Sequence, residues 1–553
     1  LFRLTLKKVI NIMASQLQTA SIAAPGFYGL NLQESSITLS SGFALKAQNC
    51  VIDKYGRIGA RRGWTPINTT VNTDLGATNP VEFMFEVVTG GGAEVLSAGN
   101  NKLFVGSTTM TTKTVRNTNN NGDASYTITA NNWQGAALSY GDVSDFQPHV
   151  YLAQAGHPML VWHELPIAGG GFNDHDSGTF GFQRVGDDAR LPSNHTTSTF
   201  MPSWVLSAYG RIWCGGISGD TQTVYFSDLL AGTDFRNGSA GYLNLQEVLP
   251  NGDPVVAAAA HNGYIIFFGR KNTAIYANPL DTAALTLVEV LNNVGCIARD
   301  SVQSIGTDVL FLSDAGVRSL QRVIQEKSLP MRDISKNVRD ELMSAVGSET
   351  DLTKIKSIYF ERDAIYLLTL PTTRFVYCFD TRAALQDGAM RVTIWDSIEP
   401  KAFTVTQDRN LLIGKPGYIG KYFGHSDNGS VYRMQYFTNY FDFDAATSLK
   451  ILKKIGWVLI GGTNQSVSVK WGFDYTEGYQ ATTYRLDTAV VYEYNIGEYN
   501  VAEYTSGIVL DRFSINAGGQ GTVMQIGIEA DINGNPLSIQ KIDVGIKTGK
   551  TLV

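Results

Sequence analysis

Histidine is the commonest protein ligand for transition metals, and the chain contains seven histidines. None of them stands in an HxxxH or HExxH arrangement, although His157 and His163 fall within one predicted strand pair. In one loop His175 lies between Asp174 and Asp176, where it could bind a divalent ion, and a solvated turn is the alternative. No other histidine has an acidic partner at ligand spacing. The sequence therefore predicts no metal centre and no cofactor.

Motifs of nucleophilic and phosphate chemistry are absent from the sequence, which contains no GxSxG, no P-loop and no GxGxxG followed by an acidic residue. Two turns, Ser313–Gly316 and Ser426–Gly429, show a faint similarity to the Asp-box turns of sialidase propellers. Those turns are structural, and glycosidases also require two carboxylates that converge on one pocket. The sequence thus predicts a protein that is not an enzyme, with carbohydrate binding or glycan cleavage as the alternative.

Basic side chains cluster near the N-terminus, where Arg57, Arg61 and Arg62 fall within six positions and Trp64 follows. One interpretation is a solvated face or a set of ion pairs between subunits. The other is contact with a phosphate backbone through arginine forks, which needs no base-reading geometry. On the residues alone both interpretations of this cluster stay open.

The elements that must position these residues are strands, because one phrase recurs: an apolar strand, a tight turn and a second apolar strand. It occurs near residues 81–105, 150–162, 205–226, 263–276, 308–320, 364–379 and 410–423. The starts lie roughly 45 to 70 residues apart, close to the ~40–50 residues of a propeller blade once loop insertions are allowed for. A blade is a small antiparallel sheet that buries its faces only by stacking on its neighbours. The sequence predicts an all-β fold with an irregular β-propeller of six or seven blades.

Three regions follow from this pattern: an N-terminal arm over 1–64, the propeller with loop insertions over 65–430, and a β-sandwich-like domain over 431–553. Within the arm, residues 1–12 are expected to lie upstream of a natural start at Met13. The shared face of Phe43, Ala44, Ala47 and Cys50 predicts a short helix. The spacing of Ile334, Val338, Leu342 and Ala345 predicts another helix over 330–348, with Asp333 at its start and Gly347 at its end.

Polar loops and a tyrosine-rich segment are the candidate contact sites of this architecture. The Asn-rich loop 117–123 and the insertion 169–198 are candidate contact loops, represented by Asn117, Asn120, Asp123, Asp174 and His175. Between 475 and 504 the chain places seven tyrosines, and a monomer rarely leaves so many aromatic side chains exposed. We interpret the segment as a subunit interface and name as candidates Tyr475, Tyr479, Tyr484, Tyr492 and Tyr494.

Bulk properties narrow the classes of partner. The 553 residues exceed one ordinary core, and the net charge of −6 gives no overall attraction to nucleic acid or anionic membrane. No apolar run approaches the ~18 residues of a membrane span, so we expect no membrane insertion. The four cysteines stand singly, without zinc spacing, and are predicted to be reduced and buried.

Two groups of phrases resemble a known family. The segment from Asn49 to Trp64, which reads NCVIDKYGRIGARRGW, is similar to the opening of tail nozzle proteins of short-tailed bacteriophages. The phrases VYFSDL at 224–229, NGYIIFFG at 262–269, AIY at 274–276, GCIA at 295–298 and FLS at 311–313 resemble the packaged-DNA stabilisation, or tail accessory, proteins of such phages. The resemblance covers about residues 25–425 in outline.

This resemblance implies a structural virion protein, located in the phage tail and assembled in the host cytoplasm. It implies a homohexameric tail nozzle that extends the tail channel below the portal and its adaptor, retains the packaged DNA and opens for ejection. Expected partners are the head-to-tail adaptor, a tail fibre or needle, and genomic DNA that passes without sequence recognition. Because many phosphate contacts would oppose ejection, net acidity suits such a channel. The basic cluster with Trp64 would then contact the adaptor or another subunit, and the loops 117–123 and 169–198 would form the gate. The alternatives remain a carbohydrate-binding or glycan-cleaving β-propeller and a generic cellular propeller scaffold.

Overall fold

In a computed structural model of the chain, the residues described are 17–89, 92–117, 125–140, 147–163, 180–185, 190–306, 308–326, 333–445, 447–462, 464–476, 478–486 and 508–551. The chain divides into two compact units. One, the propeller unit, comprises residues 62–430. The other, the terminal unit, comprises residues 1–61 together with 431–553. The N-terminal segment is therefore part of the same unit as the C-terminal strands, whereas the sequence predicted a separate arm.

The propeller unit contains seven small sheets, and these are the seven repeats predicted from the sequence. From its innermost strand outward, blade 1 comprises Phe83–Thr89, Gly92–Gly99, Lys102–Val105 and Thr111–Arg116. In the same order, blade 2 comprises Gln134–Tyr140, Gln147–Gln154, His157–His163 and Phe180–Arg184. Blade 3 comprises Trp204–Ala208, Arg211–Ile217, Asp220–Phe226 and Gly241–Asn244. The short strand Ser125–Tyr126 pairs with the outer strand of blade 1. The outer strands of blades 1 and 2 also pair with each other in parallel.

Blades 4 to 7 continue in chain order. Blade 4 comprises Val255–His261, Tyr264–Gly269, Thr273–Ala277 and Thr286–Leu291, and blade 5 comprises Gln303–Ser304, Val309–Ser313 and Gly316–Ser319. Blade 6 comprises Lys356–Phe360, Ile365–Leu370, Phe375–Ala384 and Met390–Trp395. Blade 7 comprises Phe403–Val405, Leu411–Lys415, Tyr418–Tyr422 and Trp64–Pro66. The last strand comes from the beginning of the unit, so the two ends of the propeller sequence meet in blade 7.

The blades form a closed ring because each innermost strand contacts the innermost strand of the next blade, and that of blade 7 contacts that of blade 1. Apolar clusters fill the spaces between neighbours. One, between blades 1 and 2, contains Trp133 and Trp162, and another, between blades 7 and 1, contains Leu412 and Phe104. Similar clusters lie between blades 2 and 3, 3 and 4, and 4 and 5. The shared cores confirm the predicted propeller.

Helices are few among the described residues of the propeller unit. The α-helices are Leu320–Glu326 and Arg339–Gly347, and the 3-10 turns are Pro250–Gly252, Thr282–Ala284, Arg299–Ser301, Lys336–Val338 and Leu352–Lys354. The predicted helix over 330–348 therefore begins only at Arg339, although it ends at Gly347 as expected. Asp333 does not cap it; its carboxylate instead accepts a hydrogen bond from the side chain of Arg339.

The terminal unit contains two sheets. The first joins Ile508–Ile515, Ser448–Gly462, Leu537–Thr551, Ile58–Ala60 and Cys50–Ile52, with Gln18–Ala23 and Gln520–Gly521 at its sides. The second joins, in spatial order, Gly29–Leu30, Phe43–Gln48, Tyr432–Thr438, Met524–Ile532, Ser466–Phe473 and Gln480–Arg485. Two largely antiparallel sheets are the arrangement of a β-sandwich-like domain.

The helix predicted around Phe43 is wrong, since Phe43–Gln48 is a strand paired with Tyr432–Thr438. The register of that pair shifts between Ala44 and Lys46. Such a bulge adds one residue to one strand, so Ala44 and Ala47 are both buried although they are three positions apart. Because of the bulge, the buried residues of this strand have the three-residue spacing that is typical of a helix, and the sequence therefore predicted one.

Candidate functional site

The predicted basic cluster divides between the two units. In the terminal unit the Nε of Arg57 lies 2.6 Å from Asp53 Oδ2, and its guanidinium lies 4.4 Å from the ring centre of Tyr55. Arg61 is fully buried, donates from Nε to Asn49 Oδ1 at 3.1 Å, and stacks 4.0 Å from the ring centre of Tyr432. A side chain enclosed in this way makes its contacts inside the unit. The prediction that Arg61 contacts a partner or a phosphate is therefore corrected.

Arg62 and Trp64 belong to the propeller unit, at the point where the ring closes. The guanidinium of Arg62 lies 3.8 Å from the carboxylate of Asp363, and its backbone N–H donates to the hydroxyl of Tyr422. Trp64 is 7% exposed, within the closing strand of blade 7, and Lys415 Nζ lies 5.1 Å from its ring centre. Trp64 thus packs within the blade. Contact of Arg57 or Arg62 with another subunit stays a prediction.

Three of the candidate interface tyrosines are described, all in the terminal unit. Tyr475 is 50% exposed with its ring centre 4.2 Å from that of Tyr440, and Tyr479 is 42% exposed. Tyr484 stacks on Phe513 at 3.6 Å and donates to Asp511 Oδ2 at 2.9 Å, an arrangement within the unit. The remaining candidates, Tyr492 and Tyr494, lie outside the described residues. Tyr475 and Tyr479 therefore stand as the candidates for a subunit contact.

The candidate gate loops fall mostly outside the described residues, which is the case for Asn120, Asp123, Asp174 and His175. Asn117 is described, and its Oδ1 accepts a hydrogen bond from Arg184 Nη1 at 2.9 Å. This bond ties the end of the outer strand of blade 1 to the outer strand of blade 2, whose parallel pairing was given above.

Two histidines of blade 2 lie side by side in its interior. The ring centres of His149 and His163 are 5.6 Å apart, and both side chains are buried. Burial and, as a smaller contribution, the neighbouring His163 together lower the pKa of His149 to about 3. His149 is therefore neutral at physiological pH. Among the described residues no three His, Cys, Asp or Glu side chains form a group that could hold a metal ion.

A hydrogen-bonded set in blade 3 comes nearest to acid–base geometry. The Tyr225 hydroxyl donates to Asp220 Oδ2 at 2.6 Å, and it lies 2.9 Å from His195 Nε2. Burial raises the pKa of Tyr225 and lowers the pKa of His195. The tyrosine therefore keeps its proton and cannot serve as a base near neutral pH. The set fixes the loop carrying His195 against the blade.

The two turns that resembled Asp boxes are local structure. Ser313 donates from Oγ to the carbonyl of Gly316 at 2.9 Å, within the turn that joins two strands of blade 5. In the second turn the backbone N–H groups of Asp427 and Ser430 donate to each other's carbonyls at 2.9 Å. These contacts close the turns.

A group of buried charges lies at the end of the propeller where the innermost strands of blades 2, 5 and 6 begin. We call Asn132, Arg299, Asp300 and Lys356 the axial cluster. Asp300 is paired with Arg299 Nη2 at 2.8 Å and with Lys356 Nζ at 2.6 Å. Burial alone would raise the pKa of Asp300, but the two cations lower it below its ordinary value. The carboxylate is therefore ionised and neutralised by two fixed charges.

The hydrogen bonds of this cluster cross the ring. Arg299 precedes blade 5, yet its Nη1 donates to the carbonyl of Ser203 at 2.7 Å before blade 3, and its Nη2 to that of Asn132 at 3.1 Å before blade 2. The Asn132 amide in turn donates to the carbonyl of Thr353, before blade 6, at 2.7 Å. In a ring of seven blades, neither blade 2 nor blade 3 is adjacent to blade 5 or blade 6. These bonds therefore cross the propeller axis at this end.

Sequence reasoning missed the axial cluster, although it carried a signal. Arg299 and Asp300 directly follow the apolar phrase at 295–298, and Lys356 follows Ile355 as the first residue of the strand Lys356–Phe360. Charged side chains are almost never fully buried unless they are paired. That rule flags each residue, but the pairing of segments 56 residues apart becomes visible only in the folded ring.

Comparisons with known proteins give no family. No family model matches the chain, and no curated protein matches it. Among solved structures, the chain is similar to the WD40 domain of Pan2 from Neurospora crassa, with 9% identity and a TM-score of 0.33, over 66% of this chain and 96% of that one. It is similar to the WD40 domain of coronin from Toxoplasma gondii, with 12% identity and a TM-score of 0.33, over 68% and 86%.

A third similar structure is a glycoside hydrolase family 43 arabinoxylan arabinofuranohydrolase from Bacillus subtilis, in complex with cellotetraose. It is 9% identical with a TM-score of 0.25, over 94% of this chain and 99% of that one. At these identities and TM-scores the similarities say nothing about function. Of the helices described, none has the length and apolar character required to cross a membrane.

Proposed function

We propose that the chain is a structural, non-enzymatic subunit of the tail nozzle of a short-tailed bacteriophage. Six copies would form a ring that extends the tail channel below the portal and adaptor, retains the packaged DNA and opens for ejection. The observation that carries the proposal is the ordered series of phrases between Asn49 and Ser313 that resembles these tail proteins. The phrase at 262–276 forms the adjoining strands of blade 4.

The axial cluster supports a structural role over the binding of a glycan at the propeller axis. A glycan-cleaving propeller needs two carboxylates that face a substrate and titrate separately. Here Asp300 is enclosed, with Arg299 and Lys356 as its ion-pair partners. Its charge is committed to holding the ring together. A ligand at the axis would have to displace this network.

The mass of the assembled protein tests the proposal directly. Mass photometry of the purified chain, alone and with the head-to-tail adaptor, should reveal a species near six times 60.2 kDa or its adaptor-dependent formation. Persistent monomers that ignore the adaptor would contradict the nozzle assignment.

The exposed tyrosines supply a matched pair of variants for the same assay. The double substitution Tyr475→Ser and Tyr479→Ser should weaken the ring, because these side chains are candidate subunit contacts. Tyr242→Ser alters a tyrosine that is 67% exposed on the outer strand of blade 3 and serves as the control. Equal ring formation by both variants would remove the tyrosines from the interface while leaving the ring itself in place.

A further inference from the structure

The first sheet of the terminal unit buries one face and exposes the other. Along its long strands, residues such as Trp457 and Val544 are buried, whereas the residues that alternate with them lie on the outer face. Directly opposed residues share one face of a sheet. Val458, on the outer face, is opposite both Arg512 and Lys541 of the two neighbouring strands. Two further cations follow on this face, and we call the whole set the basic face: Lys454, Arg512, Lys541 and Lys547.

The basic face has a surplus of positive charge in an acidic chain. Its four cations are accompanied on the same strands by one outward carboxylate, that of Asp543, whose Oδ2 lies 2.9 Å from Lys541 Nζ. Within the described part of the chain, Lys454, Arg512 and Lys547 form no ion pair. The whole chain has a net charge of −6, so this surplus is a local feature. A surface of this kind attracts an anionic partner.

The surface between these cations is low and partly apolar. Gly456 and Gly545 carry no side chain, and Val458 adds an apolar one. Leu17 is 52% exposed and lies over Gly545, where an added Cβ would be 3.5 Å from Leu17 Cδ2. A phosphate backbone requires only polar and cationic contacts. Exposed apolar side chains among the cations favour a partner that carries aromatic or aliphatic groups as well as negative charge.

The chain itself contains a segment of that character, residues 487–507, which we call the acidic segment. It has four acidic residues and neither lysine nor arginine. It also has four tyrosines, and Tyr492 and Tyr494 were predicted above as interface residues. Three of its carboxylates directly adjoin a tyrosine, namely those of Glu493, Glu498 and Glu503. Cations attract both carboxylates and the faces of aromatic rings, so the acidic segment matches the basic face in charge and in side-chain type.

The described residues on either side of the acidic segment lie close together. The backbone N–H of Leu486 donates to the carbonyl of Gln465 at 2.9 Å, and Ile508 is opposite Gly462. The 21 residues between Leu486 and Ile508 therefore leave the unit and return to it at one place. At ~3.3 Å per residue, half of that length spans roughly 35 Å. The segment is long enough to reach a neighbouring copy.

We propose that the basic face of one copy binds the acidic segment of a second copy. Each copy has one face and one segment, so the contact joins two unlike surfaces. Such heterologous contacts generate a ring when the rotation between copies closes. The inference rests on the proposed ring and assigns a contact to it: each subunit gives its segment to one neighbour and receives the segment of the other.

A charge exchange between two full-length variants tests this contact. One, the face variant, reverses three cations of the basic face, and the other, the segment variant, reverses three carboxylates of the acidic segment. The substitutions are Lys454→Glu, Lys541→Glu and Lys547→Glu in the first, and Glu493→Lys, Glu498→Lys and Glu503→Lys in the second. Each variant alone opposes like charges, so in sedimentation velocity its assembly should require about ten-fold more protein, or higher still. An equimolar mixture restores opposite charges where the two variants meet, and should assemble as the wild type does.

The control reverses three exposed lysines of the propeller unit and should assemble as the wild type does. Its substitutions are Lys102→Glu, Lys271→Glu and Lys354→Glu. Circular dichroism verifies that each variant is folded. If a variant is unfolded, the salt dependence of the wild type remains as a measurement. Exposed charge pairs are screened by salt, so assembly should weaken between about 0.05 and 0.5 M salt, and an unchanged assembly would overturn the proposal.

The outcomes separate this contact from the ring itself. Hexamers of the wild type that persist equally in the face variant would overturn the contact and leave the ring in place. Variants that stay apart when mixed would also overturn it, because a segment bound to its own chain cannot be rescued by a partner. Duplex DNA bound by the wild type and lost by the face variant, with assembly unchanged, would assign the face to nucleic acid instead. Dimers or open chains that obey the charge exchange would support the contact and contradict the nozzle. Monomers at about 100 μM would contradict both.

Discussion

Replacement of Arg299 by methionine would test whether the axial cluster holds the propeller together. The substitution keeps an unbranched side chain but removes the ion pair with Asp300 and both hydrogen bonds across the ring, to the carbonyls of Ser203 and Asn132. Lys356 would remain as the only cation beside the buried carboxylate. The lost contacts join parts of the ring that no other contact described above connects directly.

The expected cost is large because the groups left behind are buried. Breaking a buried ion pair by removing one partner costs about 3–5 kcal/mol. Each carbonyl left without a donor adds to that cost, by about 1–3 kcal/mol if no water replaces the guanidinium. We therefore expect Arg299→Met to lower the free energy of unfolding by at least about 3 kcal/mol. The control is Arg374→Met, whose pair with Glu399 at 3.6 Å is on the surface and is worth ~0–1 kcal/mol.

Urea unfolding followed by tryptophan fluorescence is the assay. Trp133 and Trp204 directly follow Asn132 and Ser203 and are buried, so their emission reports on this end of the ring. A triple variant, Arg299→Met with Asp300→Leu and Lys356→Met, should recover part of the loss, because it leaves no unpaired charge. If Arg299→Met and Arg374→Met unfold within ~1 kcal/mol of each other, the cluster does not stabilise the ring as argued.

Three further perturbations follow from the same structure. Because burial holds the pKa of His149 at about 3 against an ordinary 6.5, the unfolded chain binds the extra proton first, so stability falls as pH drops from 6.5 towards 3. At pH 5 the loss is about 2 kcal/mol, and urea unfolding of His149→Phe should lack it. Gly63→Ala would place a methyl group against the backbone carbonyl of Ser426 and lower the free energy of unfolding by about 1–3 kcal/mol. Its control is Gly347→Ala, whose methyl group meets no atom within 4 Å, so thermal melts should show a slight stabilisation of that helix. A thiol reagent should react slowly with the native chain and with four thiols after unfolding, since all four cysteines are buried thiols.

The propeller could be predicted from the sequence because each blade repeats a local pattern. A strand, a turn and a strand within about 15 residues depend on neighbours in sequence, as in Tyr264–Gly269 and Thr273–Ala277. The closing strand Trp64–Pro66 could not be assigned in this way, because its partner Tyr418–Tyr422 lies more than 350 residues later. The sequence accordingly placed Trp64 at the end of a separate arm.

The candidate sites were harder to predict because they depend on burial. Arg57, Arg61 and Arg62 look equivalent in the sequence, but only the folded chain shows that Arg61 is enclosed by Asn49 and Tyr432. In the same way, the alternation around Ser466 predicted a half-buried strand. It could not reveal that this strand pairs with one that begins only at Met524.

The axial cluster also adds a requirement to the proposed function, namely that the DNA channel be formed by several copies of the chain. If groups from the segments before blades 2, 3, 5 and 6 meet across the propeller axis, DNA cannot pass through the propeller of a single chain. A channel would then have to be walled by the outer surfaces of several copies, and the net charge of −6 per copy would disfavour tight phosphate contacts along it. Ring assembly is therefore a necessary condition of the proposal. A chain that bound the adaptor but never assembled into a ring would leave the DNA without a passage, and the nozzle assignment would fail despite the binding.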